Sequence, residues 1–519
     1  MSATFNANME AVAQRFPEAY RLLETSFDDR LVVGVQARSG DSVAAVRTTG
    51  GSMLLNSRYN PVREAVRVVG RYAGTVVMIG TDSGYLARAL LDAGAARVLL
   101  VEPDPAVLAG ILHVVDLSSC LHDRRLQLHV GVAGTFEWIQ ARYLPVLHGD
   151  AYVYTPRARV GLAGSRIDEI RRLVSLALDG VADDTATQAR LGRLWTRNIL
   201  LGVSRGVGLE ARFRSGDEAA VVAAGPSLNG QMDALRHGRH DLLVSVDTAL
   251  PALLRHGIVP SYVVSIDPQV VSYHHALTGV PKETTVVSDI GSPPFGHRRR
   301  MLLSGAHPLA GALRRRGLAL PVWDTSGGSV TQTAVDFCRR LGVRRIRLYG
   351  ADYSYGNGTA YAAGTYVYDV FRGRESRLNT VEAQNATFVF ARATRVEGSF
   401  RSALLDRYKA RFDAWCRSRG LAVSPDGILE LPAEPPDRLP EGYRIERRDA
   451  VHALEVYRND LARFELDALD RPIELNEVPQ RLAEILATVL PLAAALDRSL
   501  DRAHGITLQY VERALALLT

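Results

Sequence analysis

Hydrophobic and polar positions follow helical and strand periods in turn along this chain. Over residues 1–30 the apolar positions recur at helical spacing, which predicts one amphipathic helix. Residues 31–58 alternate apolar and polar positions, with Gly-Asp and Gly-Gly between the runs, which predicts a hairpin. Between 61 and 155 we predict strands at 76–79 and 97–101, each followed by a helix, at 85–93 and 105–115. Strands that alternate with helices in this way favour a parallel sheet.

A second strand–helix rhythm begins at Ala219, after a helical connector at 160–215. Its predicted strands are 220–224, 242–246, 262–266, 285–288 and 346–349. The proline-rich stretch 431–442 predicts a linker, and helical periodicity without strand signals continues over 446–519. We therefore expect an α/β protein with two Rossmann-like parallel-sheet domains and a C-terminal helical domain. The expected segments are 1–60 (helix and hairpin), 61–205 (first Rossmann-like domain), 206–430 (central domain) and 431–519 (helical domain).

Composition indicates a folded, cytoplasmic protein. The 519 residues are 47% hydrophobic and 23% charged, which is typical of globular chains. The first 20 residues lack the basic start and apolar block of a signal peptide, and Pro491 interrupts the apolar run 485–496. We therefore expect no membrane partner. The three cysteines, Cys120, Cys338 and Cys416, are odd in number and lack metal-ligand spacing, so we also expect no disulfide framework and no zinc site.

The net charge of +6 comes almost entirely from arginine. Only Lys282 and Lys409 among the 62 basic residues are lysines. Arginine suits phosphate and carboxylate ligands, but such a bias beside abundant alanine also arises from genomic composition, and we give that explanation more weight. Because no stripe of basic and aromatic residues is present, we predict no nucleic-acid partner.

The segment VVAAGPSLNG ends a predicted strand and opens a helix. Gly225 and Pro226 would turn the chain. Ser227, followed by Leu228, stands where the helix would be capped. Backbone N–H groups at a helix start favour a phosphate, although a plain capped turn gives the same pattern.

Two further strands end in polar residues. Asp247 and Thr248 follow one strand, and Asp267 follows the next. Open parallel sheets bind ligands beyond the carboxyl ends of their strands, so these turns are candidates for one site. Each aspartate is equally a helix cap or turn former. Neither belongs to a DxD pair, so we predict no metal site.

A fourth cluster surrounds the strand at 346–349. A small-residue loop precedes the helix predicted at 330–341, and it consists of Ser326, Gly327, Gly328 and Ser329. The strand ends near Asp352 and a glycine-rich segment with Tyr353, Tyr355, Tyr361, Tyr366 and Tyr368. Tyrosine hydroxyls there would donate to phosphate or sugar oxygens, although a solvent-edge hairpin is the alternative. His307, in SGAHP, lies in a predicted strand-end loop from which it could enter the pocket.

The N-terminal sheet has a comparable strand end. MIGTDSGY opens a helix, and Glu102 ends the following strand, which is the layout of a nucleotide or S-adenosylmethionine site. However, Thr81, Asp82 and Ser83 replace the glycine-rich pattern, and Asp82 would repel a phosphate. We therefore favour an inherited fold without a working site.

Taken in order, LLNSRYNPVREA, MIGTDSGY with LLVEPDP, AAGPSLNG, SVDTAL, GIVPSYVVSIDP, GGSV and LYGADYSYGNGTAY resemble the motility-associated factor (Maf) glycosyltransferases over about residues 50–425. The resemblance implies cytoplasmic transfer of a nonulosonic acid, of pseudaminic or legionaminic type, to Ser or Thr of flagellin for flagellar assembly and motility. The donor would be the CMP-activated sugar, with inversion at the anomeric centre and no cofactor.

The central unit is also similar to bacterial CMP-sialic acid sialyltransferases. Their GPSL turn corresponds to 225–228, and their nucleotide-binding aspartate corresponds to Asp352. Two asparagines of those enzymes fall near Asp247 and Asp267, and their phosphate-binding tyrosines fall near 353–361. Their general-base histidine has no counterpart between Thr387 and Tyr408.

The expected catalytic residues are Asp352 and His307. The expected donor-binding residues are Gly225, Pro226, Ser227, Leu228, Asp247, Thr248, Asp267, Ser326, Gly327, Gly328, Ser329, Asp352, Tyr353 and Tyr361. Flagellin would be the acceptor, and a homo-oligomer is possible. A 6-hydroxymethylpterin pyrophosphokinase, which belongs to the same broad family, and a non-catalytic flagellin chaperone remain alternatives.

Overall fold

The structure is a computed structural model that describes residues 2–70, 74–294, 296–297, 299–396, 399–432, 435–464 and 480–519. The chain packs into two compact units. The first holds the chain up to Arg190 and the segment Ala493–Ser499; the second holds Leu191–Phe464, Glu484–Leu492 and Leu500–Thr519. The domain limits expected from the sequence stay predictions. None of the described helices is long and apolar enough to cross a bilayer.

The first unit begins with two helices, α1 (Ala3–Arg15) and α2 (Pro17–Ser26), so the prediction of one helix over 1–30 was wrong. Proline disfavours the helical conformation at the preceding residue, and Phe16 lies at φ −133° and ψ 63°. The predicted hairpin region forms an antiparallel sheet of β1 (Val32–Gln36), β2 (Ser42–Thr48) and β3 (Gly51–Leu54).

A parallel sheet follows in the first unit, as predicted. Its strands are β4 (Thr75–Ile79), β5 (Arg97–Glu102), β6 (Leu126–Val130) and β7 (Ala151–Tyr154). The helices are α3 (Pro61–Val69), α4 (Tyr85–Asp92), α5 (Pro105–Val114), α6 (Ser118–His122), α7 (Thr135–Arg142), α8 (Pro145–His148) and α9 (Arg157–Gly206), whose residues from Leu191 onward belong to the second unit. The spatial order is β6-β5-β4-β7. Strand order therefore reverses at β4, where a crevice forms between the carboxyl ends of β4 and β7.

The second unit contains a larger sheet. The described strands of this unit are β8 (Glu210–Arg212), β9 (Glu218–Val222), β10 (Leu242–Val246), β11 (Tyr262–Ser265), β12 (Thr285–Asp289), β13 (Arg300–Leu303), β14 (Arg345–Tyr349), β15 (Thr394–Val396), β16 (Ser399–Arg401), β17 (Ile428–Glu430) and β18 (Gly442–Arg444); β8 pairs with β18 and β15 with β16 in two small sheets. In the described part of the chain, seven strands pair in the order β13-β12-β11-β10-β9-β14-β17, and only β17 is antiparallel to its neighbour. All five predicted strands are confirmed. The short β13 and β17 were missed, because three or four residues show little periodicity.

Helices alternate with the strands of this unit along the chain, and the last three described helices form the C-terminal region. They are α10 (Leu228–His237), α11 (Leu250–Arg255), α12 (Val270–Ser272), α13 (Pro308–Arg315), α14 (Val330–Arg340), α15 (Tyr366–Gly373), α16 (Val381–Phe390), α17 (Ala403–Ser418), α18 (Arg447–Ala462), α19 (Gln480–Ala494) and α20 (Leu500–Ala516). Short 3-10 turns form at Asp247–Ala249 and Gly356–Gly358, and a π turn forms at Tyr273–Leu277. The predicted fold class, with two parallel sheets and a helical C-terminal region, is confirmed.

The sheet of the second unit reverses its strand order at β9. This strand pairs with β10 on one side and with β14 on the other, both in parallel. The carboxyl ends of β9 and β14 therefore flank the crevice in which such sheets bind ligands. The C-terminal helices are attached by the buried Arg316, which forms an ion pair with Asp460 at 2.7 Å and another with Glu484.

Candidate functional site

A cavity of about 240 Å³ opens at the reversal point of the second unit. Residues after β9, β10 and β14, the start of α14 and one face of α17 line it. Of the residues expected from the sequence, seven line this cavity: Gly225, Thr248, Gly328, Ser329, Asp352, Tyr353 and Tyr361. Eight others lie outside its wall: Pro226, Ser227, Leu228, Asp247, Asp267, His307, Ser326 and Gly327.

Asp352 connects the two strand ends that flank the crevice. Its Oδ2 accepts a hydrogen bond from the backbone N–H of Ser227 at 3.0 Å. A Cβ on Gly225 would lie 2.1 Å from that oxygen, so only glycine permits this approach. The carboxylate thus occupies the N-terminus of α10, which sequence reasoning assigned to a phosphate.

Ser227 is exposed, and its side chain forms no cap hydrogen bond at the start of α10. The expectation that its hydroxyl caps this helix was therefore wrong. Its backbone N–H contributes through Asp352 instead.

Asp247 and Asp267 serve mainly as turn formers. Asp247 is buried and accepts hydrogen bonds from Ser265 Oγ at 2.7 Å and from the backbone N–H of Thr248 at 2.6 Å. Burial raises the pKa of Asp247, while these hydrogen bonds oppose the rise. Asp267 accepts the backbone N–H of Gln269 at 2.8 Å. The hydrogen bond from Thr248 to Asp247 fixes the position of Thr248, which lines the cavity.

The loop 326–329 is ordered by Asp324, a residue that sequence reasoning missed. Its Oδ1 accepts from the backbone N–H and the Oγ of Ser326 at 2.9 and 2.6 Å, and its Oδ2 accepts from Trp415 Nε1 at 2.8 Å. Burial is the largest single influence and raises the pKa of Asp324, but the hydrogen bonds from Ser326 and Trp415 and the charge of Arg419 together bring the pKa below its ordinary value. The Asp-Thr-Ser sequence, a typical Asx turn, is the signal that could have revealed this role.

Tyr353 is the most unusual residue of the cavity wall. Its φ of 49° is rare for a residue with a side chain. The ring stacks on Phe412 with centroids 5.8 Å apart, and its Oη is buried with no well-formed hydrogen bond in the described chain, where Ser329 interacts with it only weakly. Burial raises the pKa of both Tyr353 and Tyr361, so both hydroxyls remain protonated donors at neutral pH.

Helix α17 supplies a wall that the sequence did not indicate. Leu405 and Tyr408 line the cavity, and Phe412 and Trp415 contact Tyr353 and Asp324 at the positions described above. These positions recur at helical spacing along one face of α17. No element is predicted for this segment from the sequence, and periodicity alone does not specify which partner a helix face contacts.

His307 lies away from this cavity. It is the N-cap of α13, and its Nδ1 accepts the backbone N–H of Leu309 at 3.2 Å. The ring lies 5.6 Å from Trp195, and burial lowers the pKa of His307 to about 4. The prediction that this histidine enters the pocket was therefore wrong.

The equivalent edge of the first unit contains its own charged groups. Asp82 is buried and accepts backbone N–H groups of Gly84 at 2.7 Å and Leu86 at 3.1 Å at the start of α4. Burial raises the pKa of Asp82. Glu102 forms a fully buried ion pair with Arg159 of α9. A cleft of about 620 Å³ between the ends of β4 and β7 is lined by Asp82 among others.

No three His, Cys, Asp or Glu side chains converge as metal ligands in the part of the chain that the structure describes.

Comparisons with known proteins agree with this architecture. Residues 204–358 match the family model described as 6-hydroxymethylpterin diphosphokinase MptE-like. An uncharacterized protein of Treponema pallidum is 31% identical over 151 residues, which are 27% of this chain and 54% of that protein. This chain thus spans about half the length of that relative.

A second relative carries the name of an enzyme. The ribosomal RNA small subunit methyltransferase A of Rhodopseudomonas palustris is 25% identical over 278 residues, which are 51% of this chain and 79% of that protein.

Among solved structures, the Maf glycosyltransferase from Magnetospirillum magneticum matches 99% of this chain and 95% of its own, with a TM-score of 0.51 and 14% identity. The chain therefore has the fold of that Maf glycosyltransferase, and the resemblance drawn from the sequence motifs is confirmed at the level of the fold.

Proposed function

We propose that this protein is a glycosyltransferase that moves a nonulosonic acid from a CMP-activated donor to Ser or Thr hydroxyls of flagellin. The observation that carries the proposal is the cavity at the reversal point of the second sheet. There Asp352, Tyr353 and Tyr361 line a space within a fold shared with a Maf glycosyltransferase.

Sugar transfer requires a stabilised leaving phosphate and an acceptor hydroxyl that loses its proton. The first N–H groups of a helix lack partners within the helix, and Ser329 gives α14 no side-chain cap. These groups and the protonated tyrosines supply hydrogen-bond donors for the phosphate. Asp352 is a carboxylate in the wall, oriented by the N–H of Ser227, and we assign to it the acceptance of the proton.

Intact-mass spectrometry of flagellin tests the proposal. Flagellin from cells with the wild-type protein should carry the mass of the sugar, and flagellin from a deletion strain should lack it. The Asp352→Asn variant should resemble the deletion. Asp267→Asn, which also removes a strand-end carboxylate but lies outside the cavity, is the matched control and should retain most modification. Unmodified flagellin that still co-purifies with the wild-type protein would indicate a chaperone instead.

A diphosphokinase is the second candidate, because the matched family model carries that description and covers the strand ends from β9 to β14. Calorimetric titration with CMP and with ATP, each with and without EDTA, separates the two. We expect CMP to bind in the presence of EDTA. Preference for ATP, or binding that disappears with the chelator, would favour the diphosphokinase.

A further inference from the structure

The wall of the cavity is poor in positive charge. Asp352 contributes a carboxylate, and the described lining residues include no Arg, Lys or His. A CMP-linked donor carries a negative phosphate, and two negative groups in a partly enclosed space repel each other strongly. Asp352 also occupies the N-terminus of α10. The phosphate therefore needs a cation close to the other helix start, that of α14.

Arg411 of α17 stands beside that helix start. Its Nη1 lies 3.7 Å from the position of a Cβ built on Gly328, and Tyr408 Cε1 lies 3.4 Å from the same point. Gly328 and Tyr408 both line the cavity. The arginine follows Tyr408 by three positions and so projects from the same side of α17.

The guanidinium of Arg411 is available for a ligand. Its side chain is exposed and forms no ion pair or hydrogen bond in the described chain. By contrast, Lys409 on the same helix is paired with Asp413 at 2.6 Å, and the nearby Arg419 is paired with Asp324 at 3.1 Å.

We propose that Arg411 binds the phosphate of the nucleotide donor at the start of α14. This inference rests on the proposed function, since it assigns one group of the same donor. A guanidinium presents two parallel N–H donors to phosphate oxygens. Its exposed position at the cavity edge leaves the guanidinium accessible to a phosphate that enters the cavity.

Calorimetry on the full-length protein, with CMP and with cytidine as probes, tests this assignment. Arg411→Gln should weaken CMP binding by about tenfold or more, the usual loss for a charged hydrogen bond. Cytidine, which lacks the phosphate, should bind both proteins within about twofold. Arg411→Lys should lie between wild type and Arg411→Gln. Arg417→Gln, which removes an exposed arginine elsewhere on α17, is the control and should bind CMP like wild type.

Three results would overturn the inference. One is unchanged CMP affinity in Arg411→Gln, and another is an equal loss for CMP and cytidine; both leave the proposed function standing. A wild-type protein that binds no CMP would overturn the inference and the proposed function together. Thermal melts of each variant show whether a loss comes from unfolding.

Discussion

The two parallel sheets of this protein each reverse strand order at one strand. The acidic residues at the two reversal points, however, have different hydrogen-bond and ion-pair partners. In the first unit, Asp82 takes two backbone N–H groups at the start of α4, and Glu102 is consumed by a buried ion pair with Arg159. In the second unit, Asp352 takes one N–H group, at Ser227, and still lines an open cavity with several tyrosines.

This difference illustrates how protein contacts can occupy the polar groups of a nucleotide-type layout, so the layout alone is weak evidence for a nucleotide site. At the first edge, the acidic residue that would hold ribose hydroxyls has become part of the protein interior. At the second edge, polar atoms such as the Tyr353 hydroxyl make no well-formed hydrogen bond to the part of the chain that the structure describes. Unsatisfied donors beside a cavity are the more informative sign of ligand binding.

The largest expected effect comes from breaking the buried pair of the first unit. Glu102→Gln leaves the Arg159 charge without its partner, and removal of one member of a buried pair costs about 3–5 kcal/mol. Denaturant unfolding should show this loss. The double variant Glu102→Leu with Arg159→Met should recover much of it. A Glu102→Gln protein as stable as wild type but unable to bind S-adenosylmethionine, where wild type binds it, would instead reveal a ligand site.

The next largest effect concerns His307, a partly buried residue of the second unit outside the cavity, whose ring Nε2 is fully buried. Its pKa is about 4 in the folded protein against 6.5 in the unfolded chain, so the unfolded state binds the extra proton between these values. Stability should therefore fall as the pH drops from about 6.5 to about 4, by roughly 2–3 kcal/mol from this group.

His307→Asn is the matched variant for that measurement. Asparagine is a good N-cap and does not titrate in this range, so it should keep the start of α13 and remove this acid-side loss. Flagellin modification at neutral pH should be retained. A variant that folds but fails to modify flagellin would return His307 to the catalytic machinery.

A smaller change in free energy is expected when Asp352, at the start of α10, or Asp82, at the start of α4, is replaced by asparagine. Asp352→Asn should reduce sugar transfer about ten- to a hundredfold, the loss expected for one charged interaction with a ligand. Asp82→Asn should lower thermal stability but keep transfer per folded molecule within about twofold. Ser227→Ala, which removes an exposed hydroxyl outside the cavity, should have little effect. Loss of transfer confined to Asp82→Asn would place the reaction in the first unit.

Sequence reasoning located the strand ends well, because long apolar runs followed by Gly225 or Asp352 identify buried strands and their turns. It failed where contacts join distant segments. The bond from Ser227 to Asp352 spans 125 positions, and the ion pair of Glu102 with Arg159 joins a strand to a helix that begins 55 positions later. No local sequence pattern predicts either of these contacts.

The same reasoning explains the two side chains that were misplaced or missed. His307 precedes a proline at a helix start, and this position is as suitable for a cap as for catalysis. Tyr408 belongs to a helix whose periodicity is clear but whose packing partner is set by tertiary structure. The candidate site could thus be predicted as an edge of the sheet, whereas its wall from α17 could not.

The smallest expected effect on stability is that of Tyr353→Phe, a variant that tests whether the Tyr353 hydroxyl binds a ligand. Tyr353→Phe removes a buried Oη that makes no well-formed hydrogen bond in the described chain and only a weak interaction with Ser329, so stability should stay within about 0.5 kcal/mol or rise. Tyr443→Phe is the matched control, because Tyr443 Oη accepts from the N–H of Leu302 at 2.7 Å and donates to its carbonyl at 2.6 Å; this loss should cost about 1–3 kcal/mol. Binding should reverse the order, with CMP affinity reduced by Tyr353→Phe and unchanged by Tyr443→Phe. If Tyr353→Phe lost stability and kept its CMP affinity, the hydroxyl would be structural, and the open edge of the second unit would owe its ligand to other groups.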